Sequence, residues 1–253
     1  TGPPFEMADV EDSAYFDGKT TLEALNRLNQ LSKNQKPFFL AVGFVKPHLP
    51  FNAPKKYWDL YDHSKIQLPG NPNQPTNAPP KAKHAFGELR KFDGIPKNPL
   101  PVSDSMARKL IHGYYACVSY IDAQIGILLE GLDNLTLSEN TIVFILGDHG
   151  WSLGEHGLWA KHSPFDLATR TPLIVRTPEH LNETYKSGSA HGLVEFIDIF
   201  PTIMELVDLA ELDQLDGKSF VEQLKDPLSD GKEVVFPRWS IAEIIKTDQY
   251  SYT

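Results

Sequence analysis

Two apolar runs stand out in an otherwise mixed chain, and each stops at a polar cluster. Thr141-Ile142-Val143-Phe144-Ile145-Leu146 runs into Gly147-Asp148-His149-Gly150, and Pro37-Phe38-Phe39-Leu40-Ala41-Val42-Gly43-Phe44 runs into Val45-Lys46-Pro47-His48. Runs this short predict strands covered on both faces, as inside a parallel sheet. Pro172-Leu173-Ile174-Val175 predicts a third. Helical spacing appears between them. Thr20-x-x-Glu23 fits a capping box, and Leu22, Leu25, Leu28 and Leu31 lay one stripe along a helix of about 14 residues that Lys36-Pro37 closes. Asp104 to Leu132 is the clearest helix, with Tyr114, Val118, Ile121, Ile125, Leu128 and Leu132 as a continuous core stripe. Val194 to Leu209 predicts another, with Asp198 as a cap and Pro201 in the first turn, where proline is tolerated.

Helix, strand and polar loop in alternation predict a doubly wound α/β fold, whose ligands bind beyond the carboxyl ends of the strands. Residues 1–18 read as a loop. Residues 62–101 hold eight of the chain's 20 prolines and keep no period, which marks a long excursion. After residue 213 the pattern weakens to short alternations, Val234-Val235-Phe236 and Ile241 to Thr253, as in antiparallel strands. The expected organisation is a large domain over 1–212 and the start of a smaller C-terminal subdomain over 213–253. No internal repeat is visible.

Composition narrows the partners. Hydrophobic residues make up 41% and charged residues 23%, enough for a substantial core. A net charge of −9 excludes nucleic acid or an anionic membrane as the main partner, so an anionic substrate must be drawn by local cations. No apolar run approaches the ~18 residues of a membrane span. Cys117 is the one cysteine; it shares a helix face with Tyr114 and Ile121 and reads as a small buried apolar residue. Asn134-Leu135-Thr136 and Asn182-Glu183-Thr184 match the glycosylation triplet, a pattern common by chance. Neither Thr1-Gly2-Pro3-Pro4 nor Tyr252-Thr253 looks like a natural terminus, so a fragment is expected. Oligomeric state is not readable.

Three clusters could carry chemistry. Asp148-His149 pairs a hard carboxylate with an imidazole at a strand end, as metal ligands or as a cap and turn. Lys161, in the same polar loop, could bring an ammonium to a bound anion or simply be solvated. In Lys46-Pro47-His48 the proline stiffens the turn that aims the imidazole. Trp151 is a sugar-stacking platform or a cover for the core, and His156 a substrate contact or a structural hydrogen-bonder. In a doubly wound sheet two such loops can converge on one crevice.

These residues resemble a known family. Gly147-Asp148-His149-Gly150-Trp151-x-Leu153-Gly154-Glu155-His156-Gly157-x-Trp159-x-Lys161 is similar to the metal- and sulfate-binding loop of type I sulfatases, above all the iduronate-2-sulfatase subgroup and its bacterial relatives. Lys46-Pro47-His48-x-Pro50-Phe51-x-x-Pro54, Val118-Ser119-Tyr120-Ile121-Asp122 and Phe165-Asp166-x-Ala168-Thr169-x-x-Pro172-Leu173-Ile174 match further blocks. Leu215-Asp216-Gly217-Lys218-Ser219-Phe220 and Lys246-Thr247-Asp248-x-Tyr250-x-Tyr252-Thr253 resemble the entry into the family's C-terminal subdomain.

The resemblance implies an alkaline-phosphatase-like α/β fold with a mostly parallel central sheet, and a sulfuric ester hydrolase acting on a sulfated carbohydrate. It implies Asp148 and His149 as ligands of Ca²⁺ or Mg²⁺, and Lys161 on a sulfate oxygen. His48 would contact the ester and protonate the departing alkoxide, and Lys46 would contact substrate or support a residue that does. The physics agrees: a fixed ammonium and a hard cation neutralise sulfuryl charge, and an imidazole supplies the proton. The family's nucleophile is a formylglycine made within a C/S-x-P-x-R motif, with a pair of upstream aspartates completing the metal site. Both are absent, and Cys117 is followed by Val118-Ser119-Tyr120. The chain by itself is therefore expected to be inactive and its full-length parent active. The parent's expected location is periplasmic, secreted or lysosomal. The rivals are a phosphodiesterase or phosphonate monoester hydrolase of the same superfamily, and a non-catalytic carbohydrate-binding relative.

Overall fold

The computed structural model describes residues 2–34, 36–79, 82, 87–97, 100–210 and 212–253. It divides into two compact units, one formed by Thr1–Ser138 with Trp151–Lys161, the other by Glu139–Gly150 with His162–Thr253.

The first unit is built on α3 (Asp104–Asn134), whose N-cap Ser103 accepts a hydrogen bond from the Met106 amide. The helix spans the predicted range, Leu132 of the predicted stripe is buried, and Tyr114 and Ile121 pack against the core. Ala116, Cys117, Tyr120 and Gln124 are buried too, while Val118 of the stripe is exposed, so in the middle of the helix the buried face is turned. Polar anchors hold that stretch. The Tyr120 hydroxyl donates to Asp12 O (2.9 Å), and Gln124 Nε2 donates to Asp12 Oδ2 (2.8 Å). Apolar spacing cannot register side chains that are buried through their hydrogen bonds.

Helix α1 (Phe16–Ser32) starts before the predicted capping box. Thr20 Oγ1 donates to Phe16 O inside the helix, and the backbone of Tyr15 forms the N-cap without a side-chain bond. Its buried face is Asp17, Thr21, Ala24 and Leu28; Leu22, expected on the stripe, is 52% exposed. Strands β1 (Phe5–Glu6) and β2 (Phe51–Asn52) pair in parallel, and α2 (Lys55–Trp58) follows. Phe51, Trp58, Leu89, Leu110, Tyr120 and Trp159 share the core. The predicted strand over 37–44 forms no ladder among the described residues, and Phe39 is 82% exposed. Extended chain becomes strand only where a neighbour takes its backbone groups. An antiparallel pair, β4 (Ser152–Leu153) and β5 (Trp159–Ala160), closes the unit.

In the second unit β3 (Val143–Leu146) pairs with β6 (Leu173–Arg176), from Val143 opposite Arg176 to Leu146 opposite Leu173. The ladder is antiparallel and half-covered, not parallel and fully buried as the apolar run predicts: Leu146 is 44% and Ile174 57% exposed. The short helix α4 (Asp166–Thr169) precedes β6, and α5 (Pro178–Leu181) follows it with a capping box between Thr177 and His180. Helix α6 (Ile199–Leu206) carries Pro201 in its first turn, as predicted. Its N-cap Asp198 does not bond the helix amides. The carboxylate accepts from the amides of Glu195 and Lys218 and pairs with Lys232 at 2.7 Å, tying three segments together. Beyond α7 (Val221–Lys225) lie two small antiparallel pairs. These are β7 (Arg238–Trp239) with β8 (Ala242–Glu243), and β9 (Ile245–Lys246) with β10 (Ser251–Tyr252). Three of these strands fall in the predicted 241–253 stretch; β7 lies outside both predicted stretches, and in 234–236 Val235 makes an isolated bridge to Lys246 in place of a strand. No helix among the described residues is long and apolar enough to cross a membrane.

Candidate active site

In the first unit the loop 45–50 is held from two sides. The buried carboxylate of Asp17 accepts from the amides of Val45 (2.8 Å) and Lys46 (3.0 Å). The Lys46 ammonium turns back onto its own loop and donates to the carbonyls of His48 and Pro50, both at 2.6 Å. Burial pushes this ammonium below its usual pKa, against the opposing pull of Cys117 and Asp17. Lys46 thus braces the loop that carries His48.

His48 Nδ1 lies 2.7 Å from Leu49 O. A carbonyl only accepts, so the proton sits on Nδ1 and Nε2 faces the site. Nε2 lies 2.7 Å from Lys161 Nζ and 2.7 Å from Glu88 Oε1. The ammonium also reaches both Glu88 oxygens, at 3.3 and 3.1 Å. Trp151 completes the group: its ring lies edge-on to His48 at 5.6 Å, stacks on Tyr114 at 6.2 Å and packs against Phe51 in the core. Lys161 Nζ sits 5.1 Å from the same ring, within cation–π range. The β4–β5 pair places both Trp151 and Lys161, because each adjoins one of its strands. His156 lies apart from this cluster's contacts. Its amide donates to Asn71 O (2.7 Å), and its ring meets Asn71 and Asn73 at 3.4 Å.

In the second unit the loop after β3 is pressed against the 167–172 segment. Gly147 N donates to Pro172 O, Gly150 N donates to Ala168 O, and Thr171 Oγ1 lies on the carbonyls of Gly147 and His149. At position 150 only glycine fits, since a Cβ would stand 2.0 Å from Leu167 O. His149 Nδ1 lies 2.8 Å from Gly150 O, which puts the ring proton there and turns Nε2 toward Asp148. The Asp148 side chain, 88% exposed, places Oδ2 3.6 Å from that nitrogen. The two donors are the hard-oxygen and imidazole types a divalent cation accepts. Among the described residues there is no group of three His, Cys, Asp or Glu that could hold a metal ion.

Sequence reasoning missed Glu88 and Asp17. Glu88 lies in the aperiodic proline-rich stretch and Asp17 in what reads as a loop, so neither position carries a signal.

Residues 4–209 match the family model described as Sulfatase. The chain belongs to the sulfatase family, the sulfuric ester hydrolases. Iduronate 2-sulfatase of Homo sapiens is 37% identical over 212 residues, covering 81% of this chain and 38% of that protein. The chain thus spans about two fifths of this relative's length. Phosphonate monoester hydrolase from Silicibacter pomeroyi superposes with a TM-score of 0.76 at 22% identity, over 94% of this chain and 53% of the other. BT4656, in complex with its substrate D-glucosamine-2-N,6-O-disulfate, gives 0.76 at 19% identity, over 92% and 59%. The fold is α/β of the alkaline-phosphatase-like type shared by these enzymes.

Proposed function

We propose that the protein hydrolyses a sulfate ester on a sugar, with His48 and Lys161 acting on the ester. The observation that carries this reading is the pair itself: an imidazole pinned through Nδ1 turns Nε2 onto an ammonium 2.7 Å away. An ammonium there would hold a sulfuryl oxygen, and the imidazole would give its proton to the leaving alkoxide. Asp148 and His149 would ligate Ca²⁺ or Mg²⁺, a cation that would supply charge neutralisation in sulfuryl transfer. Trp151, backed by Tyr114, would offer a sugar-facing ring, while His156 would contact substrate from the 71–73 side. The sulfated-sugar class is supported by the relative named for 2-sulfated iduronate and by the neighbour bound to a glucosamine disulfate. A formylglycine nucleophile would have to come from residues outside this sequence, which holds no C/S-x-P-x-R. A periplasmic, secreted or lysosomal parent fits such a substrate.

The test is turnover by the full-length protein of a chromogenic aryl sulfate against an aryl phosphonate, with Lys161→Ala as control. Sulfate turnover that falls at least 100-fold in the variant is expected. A preference for the phosphonate would instead favour the hydrolase reading of the same fold, and no turnover of either would favour a binding protein.

A further inference from the structure

The proton on His48 has two competing fates. With Nδ1–H committed to Leu49 O, Nε2 either accepts from the Lys161 ammonium or, when protonated, donates to Glu88 Oε1; both partners stand at 2.7 Å. One nitrogen cannot do both. A protonated ring beside Lys161 would put two positive charges within hydrogen-bonding distance. The three side chains are 38%, 21% and 19% exposed, for His48, Glu88 and Lys161, so water screens that repulsion only in part. Glu88 is the carboxylate that touches both cations. Among the described residues, the other charged side chains bonded to the loop are the Lys46 ammonium, on the carbonyls of His48 and Pro50, and the Asp17 carboxylate, on the amides of Val45 and Lys46. Trp151 is neutral.

We infer that Glu88 is a positioning residue that allows His48 to carry its proton next to Lys161, and thereby makes the imidazole a competent acid for the departing alkoxide. This rests on the sulfatase reading for its role in turnover but not for the charge balance itself. The balance is read directly by following the His48 ring resonances of the protein by NMR against pH, which needs no turnover. Glu88→Gln should move the midpoint of that titration down by about one pH unit, the low end of what an adjacent opposite charge contributes. Lys161→Met should move it up, because the repelling charge is gone. A role confined to holding the fold would not drive the two variants in opposite directions. In the full-length enzyme the alkaline limb of the rate profile should follow the Glu88→Gln shift. An unmoved or raised midpoint in Glu88→Gln overturns the inference. So does a variant that binds inorganic sulfate more tightly with the midpoint unmoved, since the carboxylate would then only occupy the anion's place. If the midpoints move as expected but no sulfate is turned over, the charge balance stands and the proposed function falls.

Discussion

Asp17 and Lys46 are joined by a hydrogen bond from the Lys46 amide to the Asp17 carboxylate (3.0 Å), which carries the first turn of α1 onto the loop of His48. The adjacent Val45 amide gives the same carboxylate a second bond at 2.8 Å. Asp17 is 1% exposed, and its removal leaves the two partly buried amides without their acceptor. Asp17→Ala should cost about 1–3 kcal/mol of stability, seen as a lower urea midpoint. Asp17→Asn keeps one acceptor oxygen and should lose less. In the full-length enzyme both should lower kcat more than they raise KM, because the loop is loosened at its root. An Asp17→Ala midpoint equal to wild type would show that the loop holds itself.

Cys117 is fully buried in α3, and burial pushes its thiol up to about 12, outweighing the opposite pull of Lys46. Only the thiolate reacts with disulfide reagents. At pH 8 the native protein should therefore leave a thiol-specific dye uncoloured, and one equivalent should react on adding denaturant. Fast labelling of the native state would place the thiol in an open, electropositive setting that the fold does not provide.

Alkali should unfold the protein from within the first unit. Burial raises the Tyr114 and Tyr120 hydroxyls to about 12 from their usual 10.0, and the Cys117 thiol to about 12 from 9.0. Burial and the Asp12 hydrogen bond raise Tyr57 further. In each case the folded pKa lies above the unfolded one. The stabilisation is then complete below about pH 9 and drains away as pH climbs toward 12, because the unfolded chain releases protons that the fold retains. Thermal midpoints taken from pH 8 to 11 should fall steadily above 9. Tyr120→Phe should flatten that slope, while losing the bonds to Gly18 N and Asp12 O at neutral pH. A flat profile across that range would contradict the burial of these hydroxyls.

Legibility followed the physics of each signal. Helix α3 was readable over nearly its whole length because a long apolar period survives local exceptions, yet in its middle the buried face is turned, where polar partners far along the chain hold Tyr120 and Gln124. The start of α1 was hidden because Tyr15 caps it with backbone alone. The run at 37–44 has the composition of a strand, but pairing is a property of neighbours, and none of the described residues pairs with it. His48 and Lys161 were nameable because their blocks have a strong family spacing. Glu88 was not, since a carboxylate in an aperiodic loop looks like any solvated acid until the fold sets it 2.7 Å from an imidazole.

Two glycines with opposite surroundings offer a paired test of the loop that carries Asp148 and His149. Gly150 faces backbone on one side: an added Cβ would meet Leu167 O at 2.0 Å and Arg170 O at 2.5 Å, and its amide is held by Ala168 O. Backbone atoms cannot swing aside as a side-chain tip can, so Gly150→Ala must pull the 147–150 loop away from α4. The expected cost is about 1–3 kcal/mol, the range for overpacking a filled site. Gly126, inside α3, has nothing within 4 Å of the same added atom. Gly126→Ala should raise stability by roughly 0.5–1 kcal/mol, because alanine loses less freedom on entering a helix. If Asp148 and His149 ligate a cation, Ca²⁺ should stabilise the full-length protein and its Gly126→Ala variant alike. It should stabilise Gly150→Ala far less, since the two donors no longer hold their spacing. Thermal midpoints with and without Ca²⁺, and after chelation, measure all of this in one series. An equal Ca²⁺ response in both variants would mean that the ligating groups lie elsewhere.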